Sequence, residues 1–160
     1  MEARTSTAPF PPALLLACGN SLRQDDGVGL QIAVAAEELF PAARLRIVAA
    51  QQFTPEMAAD LAATELVIFV DACATDEPGA IRVVSLAACN EVPETHRLDP
   101  PALLAMAQSL CGRAPARACA LTIGAGSFGY GEEISGPLRQ AVPRALRLLG
   151  NLVRAFGAEA

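Results

Sequence analysis

The sequence predicts an α/β domain built on a mostly parallel sheet of about five strands with helices on both faces. Short apolar runs alternate along the chain with amphipathic helical patterns, which is typical of parallel sheets. The first run, Ala13–Cys18, is apolar throughout, as expected of a strand buried on both faces. The chain has 160 residues, 52% of them hydrophobic and 18% charged, which suits one domain with a core of its own. We therefore expect a frayed N-terminal tail over residues 1–12 and a single domain over 13–160.

The predicted strands follow from apolar runs bounded by turn residues. In chain order they cover residues 13–18, 45–48, 66–70, 81–84 and 118–123. The third, Leu66–Val70, is the clearest and ends at Asp71. The Pro78-Gly79 turn comes before the fourth strand, and it predicts a hairpin between the third and fourth strands.

Four helices are predicted from apolar spacing and capping residues. The first follows the first strand, with Val28, Ile32, Ala35 and Leu39 on one face. The others are a short helix from Thr54-Pro55 through Ala63, a helix begun by Asp99-Pro100 and ended by Gly112, and a long C-terminal helix capped by Ser135 and interrupted or kinked at Pro143.

Composition excludes several classes of protein. A net charge of −5 leaves no basic patch for a nucleic-acid partner. No apolar run approaches the roughly 20 residues of a membrane span, and no signal-peptide pattern is present, so we expect a cytoplasmic protein. The five cysteines are odd in number and form no C-x-x-C pair, which favours reduced thiols over a disulfide framework or a zinc knuckle.

The loop after the first strand carries the most chemistry. It reads Gly19-Asn20-Ser21-Leu22-Arg23-Gln24-Asp25-Asp26-Gly27-Val28-Gly29 and leads into the first helix. One aspartate can serve as a helix cap, which leaves the second carboxylate and the glycines to be explained. Two adjacent carboxylates at a helix N-terminus are costly for folding alone and suited to binding a cation.

Two later residues fall at the same predicted edge of the sheet. Asp71 ends the third strand, where a buried carboxylate needs backbone N–H donors or a cation. His96 is the single histidine of the chain and precedes the third helix. A lone loop histidine is often only a surface residue, but two carboxylates and one imidazole would suit nickel or zinc.

The glycine-rich segment Gly124–Gly129 matches G-x-G-x-x-G but does not support dinucleotide binding. No helix opens on it, and no acidic residue follows at the distance that holds a ribose. Ser127 lies there in an A-x-S-x-G context like that of a hydrolase nucleophile. That fold would need its histidine after the serine, whereas His96 comes before it.

Together, the acidic loop motif, Asp71 and His96, in this order, resemble the nickel–iron hydrogenase maturation endopeptidases. The resemblance implies a three-layer α/β/α fold around a twisted sheet. It also implies removal of a C-terminal peptide from a hydrogenase large-subunit precursor after nickel insertion. By position, Asp26, Asp71 and His96 correspond to the metal-binding trio of the family, in which the position of Asp26 is Asp or Glu.

On this interpretation Asp26 and Asp71 are also the candidate catalytic residues, and Asp25 becomes a local cap or loop brace. The nickel is carried by the precursor. Two alternatives remain: a non-catalytic metal-sensing or chaperone module that binds the precursor without cutting it, and a hydrolase that uses Ser127 or a cysteine.

Overall fold

A computed structural model describes residues 12–89 and 98–158, which form a five-stranded sheet with helices on both faces. The strands are β1 (Ala13–Cys18), β2 (Leu45–Ala50), β3 (Leu66–Cys73), β4 (Ile81–Ser85) and β5 (Arg117–Gly124). The helices are α1 (Val28–Leu39), α2 (Met57–Ala62), α3 (Pro100–Cys111) and α4 (Gly136–Ala158), and a 3₁₀ turn covers Gln24–Gly27. The strand order is β2-β1-β3-β5-β4, and all pairs are parallel except β4 with β5.

The hydrophobic core has two halves, one on each face of the sheet. Leu15 and Ile68 point to the face covered by α1 and α4, whereas Leu16 and Phe69 point to the face covered by α2 and α3. Side chains alternate between faces along a strand, so strands buried on both sides must be apolar throughout. The predicted α/β class and its three layers are therefore confirmed.

The predicted hairpin of β3 with β4 is wrong. β3 lies in the middle of the sheet and pairs in parallel with β1 on one side and β5 on the other. The chain after β3 crosses the end of β5, where the N–H of Gly79 donates to the carbonyl of Gly124 over 2.8 Å. β4 then runs antiparallel to β5 along its outer edge. The Pro78-Gly79 turn reverses the chain, but it does not specify which strand the following segment pairs with.

Several element boundaries also differ from the predictions. β3 continues to Cys73, so Asp71 lies inside the strand. α2 starts at Met57 because Thr54-Pro55 forms a preceding turn, closed by a bond from the Met57 N–H to the Thr54 carbonyl.

The third and fourth helices match their predictions more closely. Asp99 caps α3 by accepting from the N–H of Ala102 at 2.8 Å, and Gly112 ends it in the left-handed conformation. α4 follows Ser135 as predicted, but it is not interrupted at Pro143, because the helix includes that residue and continues to Ala158.

Most of the predicted tail, residues 1–11, and the segment 90–97 with His96 lie outside the described residues. The carbonyl of Pro12, the first described residue, accepts from the N–H of Leu66 at 2.9 Å. No helix within 12–89 and 98–158 is long and apolar enough to cross a membrane.

The strand order places a change of direction between β1 and β3. From β1 the chain passes through α1 to β2 on one side, and then through α2 to β3 on the other side. In open α/β sheets, the connections leaving two such strands diverge and open a crevice at their carboxyl ends, where ligands bind. The acidic loop follows β1 into this crevice, and Asp71 lies near the carboxyl end of β3.

Gly29 lets α1 start very close to the sheet at this crevice. A Cβ at position 29 would lie 2.5 Å from the carbonyl oxygen of Cys18 and 3.0 Å from that of Val70. Both obstacles are backbone atoms of central strands, which cannot move without disturbing the sheet.

Replacing Gly29 by alanine should therefore destabilise the fold. We expect Gly29→Ala to lower the free energy of unfolding by about 1–3 kcal/mol, the usual cost of overpacking. Urea denaturation measures this loss. Gly157→Ala is the matched control, because a Cβ there meets no atom within 4 Å. Equal stability of the two variants would contradict the close approach of α1 to the sheet.

Candidate functional site

The acidic loop, residues 19–29, is held against the carboxyl ends of β1 and β3. Its 3₁₀ turn contacts β3, and the N–H of Gly19 donates to the carbonyl of Ala50 at the end of β2. Gly19 has a positive φ, and a Cβ there would lie only 2.1 Å from the carbonyl oxygen of Asp26. The loop therefore folds back on itself in a way that requires glycine at its first position.

Asp25 is fully buried and braces this loop from inside. Its Oδ2 accepts from the N–H groups of Gly126 and Ser127, each at 3.0 Å, and from the Ser135 hydroxyl at 3.0 Å. Its Oδ1 accepts from the N–H of Ser135 at 2.7 Å. One carboxylate thus joins the acidic loop to the segment between β5 and α4. The prediction that Asp25 is a loop brace agrees with these contacts.

The environment of Asp25 favours its charged form. Burial raises the pKa of this carboxyl, but the donors from Ser135, Gly126 and Ser127 together outweigh burial and hold the pKa below its ordinary value. Ser135 directly precedes α4, the position expected of the cap of that helix. However, its hydroxyl is directed to Asp25, while its carbonyl accepts from the N–H groups of Leu138 and Arg139.

A second set of bonds joins the acidic loop to the glycine-rich loop, residues 124–135. Backbone bonds link the Gln24 N–H to the Gly131 carbonyl at 2.8 Å, and the Gly131 N–H to the Leu22 carbonyl at 3.0 Å. The Arg23 guanidinium donates twice to the Phe128 carbonyl. Gln24 has a φ of +50°, a costly conformation for a residue with a side chain, and these bonds hold it there.

The sequence interpretation missed this role of the glycine-rich loop. The sequence argued against dinucleotide binding because no helix opens on Gly124–Gly129. In the structure, the next helix after this segment is α4, which begins at Gly136. Its glycines instead allow backbone N–H groups to approach Asp25 and Gln24. One feature of the sequence could have indicated this role. The run of glycines lies between the end of a strand and the start of a helix, just as the acidic loop lies between β1 and α1.

Asp26 lies on the outside of the braced loop. It is partly exposed, and its Oδ2 accepts from the N–H of Asn20 at 3.0 Å. The Asn20 side chain in turn accepts from the N–H of Leu22 at 2.9 Å. These local bonds fix the backbone around Asp26, whose carboxylate is accessible, whereas the adjacent Asp25 is enclosed.

Asp71 lies at the same edge of the sheet as the acidic loop. Within β3 it follows Val70, the partner of Ala17, and so lies beside the end of β1 where the loop begins. Its Oδ1 accepts from the N–H of Ala72 at 2.8 Å, and the residue is partly exposed. Asp26 thus comes from the loop that follows β1 and Asp71 from β3, the two strands that border the crevice.

The third predicted metal ligand, His96, lies outside the described residues. Within the described ranges, no three His, Cys, Asp or Glu side chains are grouped to hold a metal ion. The described structure therefore supplies two carboxylates at one edge, and the trio stays a prediction.

The cysteines and Ser127 are the residues that the alternative hydrolase mechanism would use. All five cysteines lie in the described part of the chain and form no disulfide with one another. Burial raises the pKa of the Cys119 thiol, which disfavours its nucleophilic form. The backbone of Ser127 is occupied by the acidic loop, since its N–H donates to Asp25 and its carbonyl accepts from the Asp25 N–H.

Known structures share this fold over nearly its whole length. The hydrogenase maturating endopeptidase HybD from E. coli has a TM-score of 0.74 at 22% identity, covering 91% of this chain and 93% of its own. The [NiFe] hydrogenase maturation protease HycI from Thermococcus kodakarensis has a TM-score of 0.71 at 22% identity, with 92% and 95% covered. HybD from the same archaeon has a TM-score of 0.64 at 24% identity, with 88% and 98% covered.

No protein-family profile and no curated protein sequence matches the chain. The similarity to these structures is therefore one of fold. At that level it confirms the resemblance indicated by the acidic loop, Asp71 and His96.

Removing the Asp25 carboxylate should strongly destabilise the protein. Asp25→Asn places an amide group against buried N–H donors, and we expect a loss of about 3 kcal/mol in the free energy of unfolding. Urea denaturation measures the loss. The control is Asp76→Asn, which weakens the pair of Asp76 with the exposed Arg82, a contact worth less than about 1 kcal/mol. Similar losses in both variants would contradict the bracing role.

The same carboxylate should make stability depend on acid pH. Because its pKa is lower in the folded than in the unfolded state, its contribution is full above the unfolded pKa, about 3.9, and is lost as pH falls through the folded pKa. We expect the unfolding free energy of the wild-type protein to fall more steeply below about pH 4 than that of Asp25→Asn. Parallel pH profiles would show that Asp25 makes no such contribution.

Proposed function

We propose that this protein is a hydrogenase maturation endopeptidase that removes a C-terminal peptide from a nickel–iron hydrogenase large-subunit precursor. The observation that carries the proposal is the position of Asp26, in the loop that follows β1, and of Asp71, within β3, at the crevice between these two strands, in a fold shared with enzymes of that name. We assign the protein to that family and its reaction to the cytoplasm.

The proposed role of Asp26, Asp71 and His96 is to recognise nickel already bound in the precursor, so that cleavage follows metal insertion. Both described carboxylates are partly exposed, as this requires. Asp71 has the same strand parity as Val67 and Phe69, which face α2 and α3. In the sequence, His96 comes shortly before α3, one of the helices that cover this face of the sheet.

Two routes to hydrolysis are open to this site. In one, a carboxylate of Asp26 or Asp71 accepts a proton from water as it attacks the peptide carbonyl. In the other, the nickel of the precursor polarises the carbonyl, and the carboxylates hold the metal in position. Both routes need the same side chains, and both predict that metal-free precursor is left intact.

Cleavage should depend on the metal load of the precursor. We expect the purified protein to shorten nickel-loaded precursor and to leave metal-free precursor unchanged, with the C-terminus of each read by mass spectrometry. Equal trimming of both would contradict the gating role. Binding of loaded precursor without cutting would instead support the metal-sensing or chaperone alternative.

Substitutions at the three residues should abolish cleavage without unfolding the protein. Asp26→Ala, Asp71→Ala and His96→Ala should each lower the rate at least about 100-fold, whereas Asp26→Glu should retain activity, because the family admits either acid there. Asp76→Ala is the matched control for loss of an aspartate elsewhere. Retained cleavage in all three alanine variants, or its loss in Ser127→Ala, would overturn the assignment.

A further inference from the structure

A shallow groove runs from the acidic loop along the outer face of α1. It has a volume of about 400 Å³ and begins beside Ser21 and Gly27 of the loop. From there it follows two turns of the helix. Its helical lining consists of Leu30, Gln31, Val34, Ala35 and Glu38.

The outer face of α1 carries apolar side chains within the groove. The inner face of the helix packs into the core through residues such as Ile32 and Ala36, so the opposite face would ordinarily be polar. Instead it carries Val34, which is 62% exposed, with Leu30 one turn before it. Apolar side chains that line an open groove are typical of a surface that binds a partner.

Further exposed apolar side chains lie on the two loops of the candidate site. Leu22 in the acidic loop is 55% exposed, and Tyr130 in the glycine-rich loop is 94% exposed. The bond from the Gly131 N–H to the Leu22 carbonyl holds these two positions side by side. Apolar side chains are therefore exposed both in the groove and on the two loops of the candidate site, where a polypeptide substrate would have to pass.

Acidic residues border this surface at both ends. Glu37 and Glu38 are exposed at the end of α1, and Glu132 and Glu133 are exposed beside Tyr130. The cation of the acidic loop, Arg23, is occupied by the Phe128 carbonyl. A complementary partner is therefore an apolar segment flanked by lysine or arginine.

We propose that the α1 groove binds an apolar, basic-flanked segment of the precursor polypeptide and so positions its C-terminal part at Asp26 and Asp71. This inference rests on the proposed function and names the surface by which the enzyme holds its substrate. Docking outside the cleavage site adds binding energy without changing the chemical step, so it affects KM more than kcat.

The test compares two apolar-to-acid substitutions on exposed helix positions. Val34→Asp lies in the groove, and Leu110→Asp is the matched control near the end of α3, on the opposite layer, where Leu110 is 69% exposed. With nickel-loaded precursor, Val34→Asp should raise both Kd and KM at least tenfold and change kcat by less than twofold. Leu110→Asp should match the wild-type protein, and thermal melts should show both variants folded.

A charge reversal tests the basic flank separately. Glu38→Lys should raise Kd several-fold, and the increase should shrink at high salt. Glu56→Lys at the residue that precedes α2, on the other face of the sheet, should bind precursor as the wild-type protein does.

The outcomes separate this inference from the proposed function. A wild-type protein that cuts no precursor would contradict the proposed function. A wild-type protein that cuts, with an unchanged Kd for Val34→Asp, would overturn the groove assignment alone. So would a concentration-dependent dimer that Val34→Asp abolishes, since the groove would then be occupied by a second copy of the chain.

Discussion

The buried carboxylate of Asp25 is the interaction on which the site depends. It collects four hydrogen bonds from residues 101 to 110 positions away, and it joins the loop after β1 to the loop after β5. A buried charge without such donors would cost several kcal/mol. Because every donor comes from the glycine-rich loop or from Ser135, neither loop can adopt its conformation without the other.

The two adjacent aspartates have different surroundings. The Asp25 side chain is enclosed and saturated with donors, so it is not available to a ligand. The neighbouring Asp26 is directed outward and accepts from the backbone of Asn20, which leaves acceptor capacity on its carboxylate. A rigid internal brace beside an accessible carboxylate is a common way to preorganise a site, because the ligand does not then have to order the loop.

Features of the fold that depend on local pattern were predictable from the sequence. β1 and β3 appear as uninterrupted apolar runs because both of their faces are buried, and α3 carries its own signals in Asp99 and Gly112. The hairpin prediction was wrong because a turn signal reports only that the chain reverses. The choice of β5 as the partner of β4 depends on which strand has an open edge, and that is a property of the assembled sheet.

The partners of Asp25 were not predictable for the same reason. The sequence shows two aspartates and, about a hundred residues later, a set of glycines, but nothing local links them. The sequence alone did not tell which of the two aspartates is the brace. Asp25 was assigned that role because the family resemblance assigned Asp26 to the metal.

The apolar side chains of α1 lie next to a loop whose conformation is already fixed by Asp25. A site whose loops are braced before the substrate binds can obtain specificity from surfaces that already have their final shape. Two carboxylates and an imidazole recognise a metal ion but not the protein that carries it. Under the proposed function, selection of one precursor requires contacts away from the metal. A groove that begins at the acidic loop and continues along α1 would provide such contacts next to the carboxylates, without altering the braced loops.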